Sequence, residues 1–356
     1  MIDYDIWYAS VRLPYKIKFK LLEEYINPQN IWEHCVNKRS IATEAYSLLT
    51  QAWNEAKINE VKKVMIEHNI NVVNYNNELY PKKLKECDSA PCILFYKGDI
   101  ERVSEGCSVS IVGSRRCTSY GINATNIISS ELSKNGISII SGLARGIDTY
   151  AHSAALQSNG FTCAVLGCGL NIIYPKENRK LYDNIASSGC VLSEFLPGTE
   201  PLSQNFPIRN RIISALSDVV VIVEAGLKSG SLITAGLALN QGKDVMAVPG
   251  SIFSEQSKGC NKLIRDGAYP ITCLEDIFEL INSSFRATEK KNIELVNPEE
   301  EKIYAVLSDN PIHIDDILRI THIDINHLYE VLFELQLKDE IMCLAGNYYV
   351  KIQKTI

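Results

Sequence analysis

Residues 108–116 read Ser-Val-Ser-Ile-Val-Gly-Ser-Arg-Arg, an apolar run from Val109 to Val112 that breaks at a glycine and passes into a hydroxyl and two arginines. A run this short, continuously apolar and β-branched suits a strand covered on both faces, and the break suits a turn into a helix. The pattern recurs at Ile137–Ile140, Thr162–Leu166, Cys190–Leu192, Val219–Val223 and Val245–Val248, with helical periodicity in the gaps. Strands alternating with helices predict an α/β domain over 71–282, a Rossmann-like, doubly wound and mainly parallel sheet.

Upstream, Asn71-Val-Val-Asn and Cys92-Ile-Leu-Phe-Tyr are short apolar pieces separated by Pro81 and Pro91, as expected of strands joined by turns. Residues 1–70 follow a helical period, in Ile41–Leu49 and in Glu60–Ile66, and predict a small helical, SAM-like module. Downstream, 283–298 is polar and nonperiodic and predicts a linker. Helical patterns at Glu299–Leu307, Ile314–Leu318 and Asn326–Lys338, then a hairpin turning at Gly346-Asn347, predict a winged-helix module over 299–356.

A chain of 356 residues has room for two or three domains, and 46% hydrophobic with 22% charged residues is an ordinary globular balance. No apolar run approaches the ~18 residues of a membrane span, and the first twenty residues mix charges with aromatics, so a cytoplasmic protein without a membrane span is expected. Eleven cysteines include no C-x-x-C pair, and Cys107, Cys163 and Cys190 fall in apparent strands. They predict reduced core thiols, with neither disulfides nor a metal site. The net charge of −6 is unevenly spread: residues 107–282 carry 14 basic and 14 acidic side chains, and 283–356 carry 8 and 13. Such a neutral middle can still present a basic face, whereas the acidic tail argues against duplex binding by the winged helix.

Ligands of an open parallel sheet bind beyond the carboxyl ends of its strands. The residues there are Gly113-Ser-Arg-Arg, Ser141-Gly-Leu-Ala-Arg-Gly-Ile-Asp, Gly167-Cys-Gly-Leu, Glu224-Ala-Gly-Leu-Lys-Ser-Gly-Ser-Leu-Ile-Thr and Pro249-Gly-Ser. Glycines admit close backbone approach, hydroxyls donate hydrogen bonds and helix starts offer unpaired N–H groups, which together describe phosphate sites. Arg115, Arg116 and Arg145 follow strands directly, and Phe206-Pro-Ile-Arg-Asn-Arg adds an aromatic platform beside Arg209 and Arg211. Cations with a stacking face suit an unpaired polynucleotide. The candidate single-strand and phosphate contacts are Gly113, Ser114, Arg115, Ser141, Gly142, Arg145, Gly146, Gly167, Gly169, Phe206, Arg209, Asn210, Arg211, Ser229, Gly230, Ser231 and Thr234. His152 reads as a helix-packing residue, and Asp148 as a helix cap that could also position Arg145.

Other chemistries fit less well. Gly113-Ser-Arg-Arg-Cys-Thr is not the dinucleotide fingerprint, and there is no Walker P-loop. A nucleoside-monophosphate phosphoribohydrolase-like enzyme would need a carboxylate in Ser229–Lys243, which has none. A Rossmann-like sensor of a small nucleotide stays open, since phosphate loops alone do not exclude it.

At these loops the chain resembles the DNA-processing protein A (DprA/Smf) family. The matching residues are Ile111-Val-Gly-Ser-Arg, Ser141 to Asp148 with Ala151-His152, Tyr174-Pro175, Ser193-Glu194, Phe206-Pro-Ile-Arg-Asn-Arg-Ile-Ile, Ser229-Gly-Ser-Leu-Ile-Thr-Ala, Val248-Pro-Gly, Gly259, Leu263-Ile264 and Gly267-Ala268. The resemblance implies sequence-independent binding and protection of incoming single-stranded DNA in natural transformation, and loading of a RecA-type recombinase onto it. It implies no catalysis and no cofactor, a homodimer formed through the Rossmann-like domain, and contact with single-strand-binding protein. Gly113, Ser114 and Arg115, with Phe206 and its neighbouring arginines, match the family's DNA pocket.

Overall fold

In the computed structural model, residues 2–36, 43–281, 298–308, 311–337, 341–344 and 346–351 are described. Two compact units divide the chain, 1–283 and 284–356. The sheet of the first unit has nine strands: β1 (Asn71–Asn74), β2 (Ile93–Gly98), β3 (Ser108–Val112), β4 (Ser138–Ser141), β5 (Thr162–Val165), β6 (Cys190–Ser193), β7 (Val219–Ile222), β8 (Asp244–Ala247) and β9 (Tyr269–Pro270). Their order is β1-β2-β6-β5-β4-β3-β7-β8-β9. From β6 to β9 every pairing is parallel, and β1 and β2 add an antiparallel edge.

The parallel part is the expected Rossmann-like sheet. Chain order runs outward from β3 through β4, β5 and β6, then returns to the other side of β3 for β7 and β8. That reversal leaves a crevice at the carboxyl ends of β3 and β7, the place where such sheets bind ligands. Strands β3 to β7 are buried along their whole length. Continuous Val and Ile runs follow directly from that two-sided burial.

Ser108, Ser110 and Ser141, buried in these strands, are bonded to backbone. Ser108 and Ser110 donate to the carbonyls of Leu216 (2.7 Å) and Ile213 (2.8 Å), which fastens the helix Asn205–Ala215 across the sheet. Ser141 donates to the Ile111 carbonyl at 2.6 Å. Each bond satisfies a hydroxyl that would otherwise be costly in the interior.

The second unit is a winged helix. Its helices are Pro298–Val306, Ile314–Thr321 and Ile325–Leu337, with the short strand Ile312–His313 pairing onto the hairpin Ile341–Leu344 and Tyr348–Lys351. Ile303, Leu307, Ile317, Leu328 and Leu335 form its core. Gly346 and Asn347 turn the hairpin with φ of 82° and 59°, values that glycine and asparagine tolerate best. The linker expected at 283–298 lies outside the described residues apart from Pro298.

Ahead of the sheet, the helices Ile2–Ser10, Tyr15–Tyr25, Pro28–Ile31, Thr43–Gln51 and Glu55–Glu67 gather around an aromatic cluster. Trp7 meets the edge of Trp32 at 5.0 Å, Trp32 lies 4.1 Å from Trp53, and the Trp7 indole donates to the Leu49 carbonyl. This cluster is continuous with one face of the sheet through Ile93, Phe95, Leu166 and Val191. Asp5 is enclosed at that junction, 4% exposed, and accepts a hydrogen bond from Asn74 at 3.2 Å. Burial raises its carboxyl pKa to about 6, only partly offset by the Asn74 bond. Between the unfolded value near 4 and about 6 the folded state binds the extra proton, so stability from this group falls as pH rises through that window. Asp5→Asn should therefore stabilise the protein at pH 8 by about 2–3 kcal/mol. The gain should vanish near pH 4, as read from denaturant midpoints of the two proteins.

Candidate nucleic-acid interface

The crevice at β3 and β7 opens into a cleft of about 650 Å³. One wall is the turn after β3, where Gly113 packs between Ile147 and the Glu224 carbonyl and Ser114 N–H donates to that carbonyl at 2.7 Å. The Ser114 hydroxyl donates to Gln256 at 2.8 Å and accepts the Arg116 N–H, so the turn holds Arg115 and Arg116 outward. Opposite lies the start of the helix Ser231–Asn240, with Ser229 and Ser231 hydroxyls 2.7 Å apart and Thr234 one turn further in.

The floor comes from the helix Asn205–Ala215. Phe206 and Asn210, four residues apart, share its cleft face. The Arg115 guanidinium lies over the Phe206 ring at 5.2 Å, and Tyr174 leans on the ring's other neighbourhood at 5.7 Å between centroids. Gly167 makes the seat for that ring: a Cβ there would come within 2.9 Å of Phe206 Cδ1. Asn210 donates to the Gly230 carbonyl at 3.5 Å and accepts from Arg209 Nε at 3.2 Å, which ties floor to wall.

Ten of the residues expected to contact a phosphate or strand line this cleft: Gly113, Ser114, Arg115, Phe206, Arg209, Asn210, Ser229, Gly230, Ser231 and Thr234. Among them Arg209 has a different job from the phosphate clamp expected of it. It is 3% exposed, and its Nη1 donates to the carbonyl oxygens of Gly142 (2.7 Å) and Val165. Gly142 is small because a Cβ would strike this guanidinium at 2.6 Å. Burial lowers the Arg209 pKa to about 10, with Asp148 opposing. Asp148 is buried too, and its carboxylate accepts the N–H groups of Gly142 and Ala144; it makes no contact with Arg145.

Arg211 turns away from the cleft. It pairs with Glu194, both side chains being about 15% exposed, on the side facing the N-terminal helices. Two residues on one helix stand about 200° apart, so Arg209 and Arg211 never share a face. Ser141, Gly142, Gly167 and Gly169 lie behind the cleft surface, Gly169 packing on the 196–198 backbone. Arg145 and Gly146 line a separate groove, where Arg145 pairs with Glu177.

The cleft lining also includes residues that were not among the expected contacts: Tyr174, named only in the family resemblance, Lys228 and Gln256 are three of them. Tyr174 carried a signal, an aromatic ahead of proline after a strand; Lys228 lies inside the glycine-rich loop; Gln256 carried none. Arg115, Arg116 and Lys228 are exposed and enter no ion pair among the described residues.

The acids near the cleft are engaged. Glu224 is 2% exposed and accepts the backbone N–H and hydroxyl of Thr118 at 2.7 and 2.6 Å. His152 is enclosed in its helix against Thr162, at 2.7 Å, and burial lowers its pKa to about 3. It packs, as its helical setting suggested.

Residues 71–282 match the family model for DNA recombination-mediator protein A, and 287–347 match that for the DprA winged helix domain. The chain is 44% identical over 223 residues to DNA processing protein DprA of Bacillus subtilis, covering 63% of this chain and 75% of the relative. It is 36% identical over 292 residues to protein Smf of Escherichia coli, covering 79% and 77%. Among solved structures it resembles DNA processing protein A from Streptococcus pneumoniae, with a TM-score of 0.69, 35% identity, and 78% and 98% coverage. It also resembles that from Helicobacter pylori, described for its single-stranded DNA binding mode, with a TM-score of 0.54, 34% identity, and 59% and 94% coverage. A match over more than half of the 356 residues settles the kinship, and the chain belongs to the DNA recombination-mediator protein A family, the DNA-processing DprA/Smf proteins.

Proposed function

We propose that this protein binds single-stranded DNA without sequence preference in the β3–β7 cleft, protects the strand during natural transformation and loads a RecA-type recombinase onto it. The observation that carries the reading is the array of Arg115 over Phe206 with Tyr174 alongside, in a cleft rimmed by Arg116 and Lys228. Guanidinium groups grip phosphates while ring faces stack any base, which is the usual division of labour on unpaired strands. The Helicobacter pylori relative's binding of single-stranded DNA supports it.

We assign no reaction to the cleft. Its nearest carboxylates, Asp148 and Glu224, are buried; Glu224 accepts from Thr118 with both oxygens, and Asp148 accepts the Gly142 and Ala144 N–H groups with one. A homodimer through the Rossmann-like unit, and contact with single-strand-binding protein, belong to the same reading. The winged helix, acidic in composition, is assigned a protein-contact role.

Labelled oligo-dT, duplex and mononucleotides titrated at two salt concentrations test the cleft. Tight, salt-sensitive binding of oligo-dT alone is expected; equal affinity for a mononucleotide would favour a sensor, and release of free base from nucleoside monophosphates would reinstate an enzyme. Arg115→Ala should weaken oligo-dT binding and flatten the slope of log affinity against log salt by about 0.7. Phe206→Ala should cost ~1–3 kcal/mol, roughly a 5- to 150-fold rise in Kd, with the far-UV spectrum unchanged. Recombinase loading is read separately, as faster strand exchange on a strand coated with single-strand-binding protein.

A further inference from the structure

Arg145, expected in the cleft, instead borders a second groove of about 470 Å³. Of the other side chains that line it, Thr149, Asn178 and Glu177 are bonded, whereas Asn126, Tyr150, Ser153 and Gln157 have no hydrogen bond or ion pair among the described residues. An arginine with two free amides, a serine hydroxyl and a phenol nearby is a donor set for a phosphate and a base, and among the described residues no aliphatic side chain lines the groove.

The groove adjoins the first cleft directly. Ala144 lines one and Arg145 the other. Gly146, in the groove, stands so close to the back of the Ser114–Arg115 turn that a Cβ would lie 2.2 Å from the Ser114 carbonyl oxygen. On the opposite side the segment from Tyr174 to Asn178 runs from cleft to groove. A wall one backbone thick therefore separates the two, and a flexible strand leaving Arg115 has the groove as its next depression.

We propose that this groove is a second nucleotide subsite for the same single strand, with Arg145 taking a phosphate and Tyr150 with the neighbouring amides taking the base. The proposal rests on the cleft reading above. Arg145 is held in the meantime by Glu177, an ion pair exposed at 63% and 52%. Exposed pairs contribute little, while a phosphate offers the guanidinium two parallel hydrogen bonds, so the incoming strand displaces the carboxylate. Glu177 is thus a latch that tunes affinity downward.

Two oligo-dT probes test this on the full chain, one of about 3 nucleotides that fills the cleft alone and one of about 12 that reaches both depressions. Arg145→Ala should lower affinity for the longer probe by about fivefold or more, with a salt slope smaller by about 0.7, and leave the shorter probe unaffected. Glu177→Gln should raise affinity for the longer probe only. Equal effects of Arg145→Ala on both lengths, or none on either, would overturn the second subsite. Arg115→Ala keeps the two readings apart: loss of both probes there, with Arg145→Ala silent, leaves the cleft standing and the groove refuted. Failure of the wild type to bind either probe refutes both.

Discussion

The guanidinium of Arg209 holds the carboxyl ends of β4 and β5 to the helix that floors the cleft. It reaches the carbonyls of Gly142 and Val165 and lies in the field of buried Asp148, which is itself bonded to the turn after β4. These groups depend on one another. Removing the charge from water is expensive, and the cost is recovered only if every donor and the counter-charge are in place. With Arg209 fixed at the third position along from Phe206, the ring is set over Gly167 and under Arg115, and Asn210 is set against Gly230. One buried cation thereby sets the geometry of the cleft floor.

The sheet was legible because strands covered on both faces must be apolar throughout, and six such runs recur in the chain. Their ends shifted by a residue, as at β4 (Ser138–Ser141) and β8 (Asp244–Ala247), because the side-chain pattern marks burial and the backbone ladder marks the strand. β9 is only Tyr269–Pro270, an edge pairing that proline and two residues could not announce.

At the site, loops were legible, and Arg115 with them, but the partners of Arg145, Arg209 and Arg211 were not. Glycine and hydroxyl residues after strands mark where backbone lines the crevice, and Gly113, Ser114, Ser229 and Ser231 line the cleft. An arginine reads the same whether it faces solvent, a carbonyl pair or a carboxylate. Helix phase alone would have parted Arg209 from Arg211, yet only the packed structure shows that Glu194 takes the second. Gly142, Gly167 and Gly169 were small for neighbours inside the protein, a reason no spacing rule distinguishes from close approach of phosphate.

Sequence independence, in the proposed reading, follows from what the cleft withholds. Reading a base edge requires a free amide or carboxylate in a fixed position. The amides nearest the rings are Asn210, engaged at both ends, and Gln256, whose carbonyl accepts from Ser114. The carboxylates, Asp148 and Glu224, are buried, Glu224 bonded to Thr118 through both oxygens and Asp148 to the turn after β4 through one. What remains exposed is three cations, two aromatic faces and a row of hydroxyls, and these meet phosphates and π-faces that every nucleotide shares. Two free amides lie across the wall, on Asn126 and Gln157 in the groove, away from the Phe206 ring.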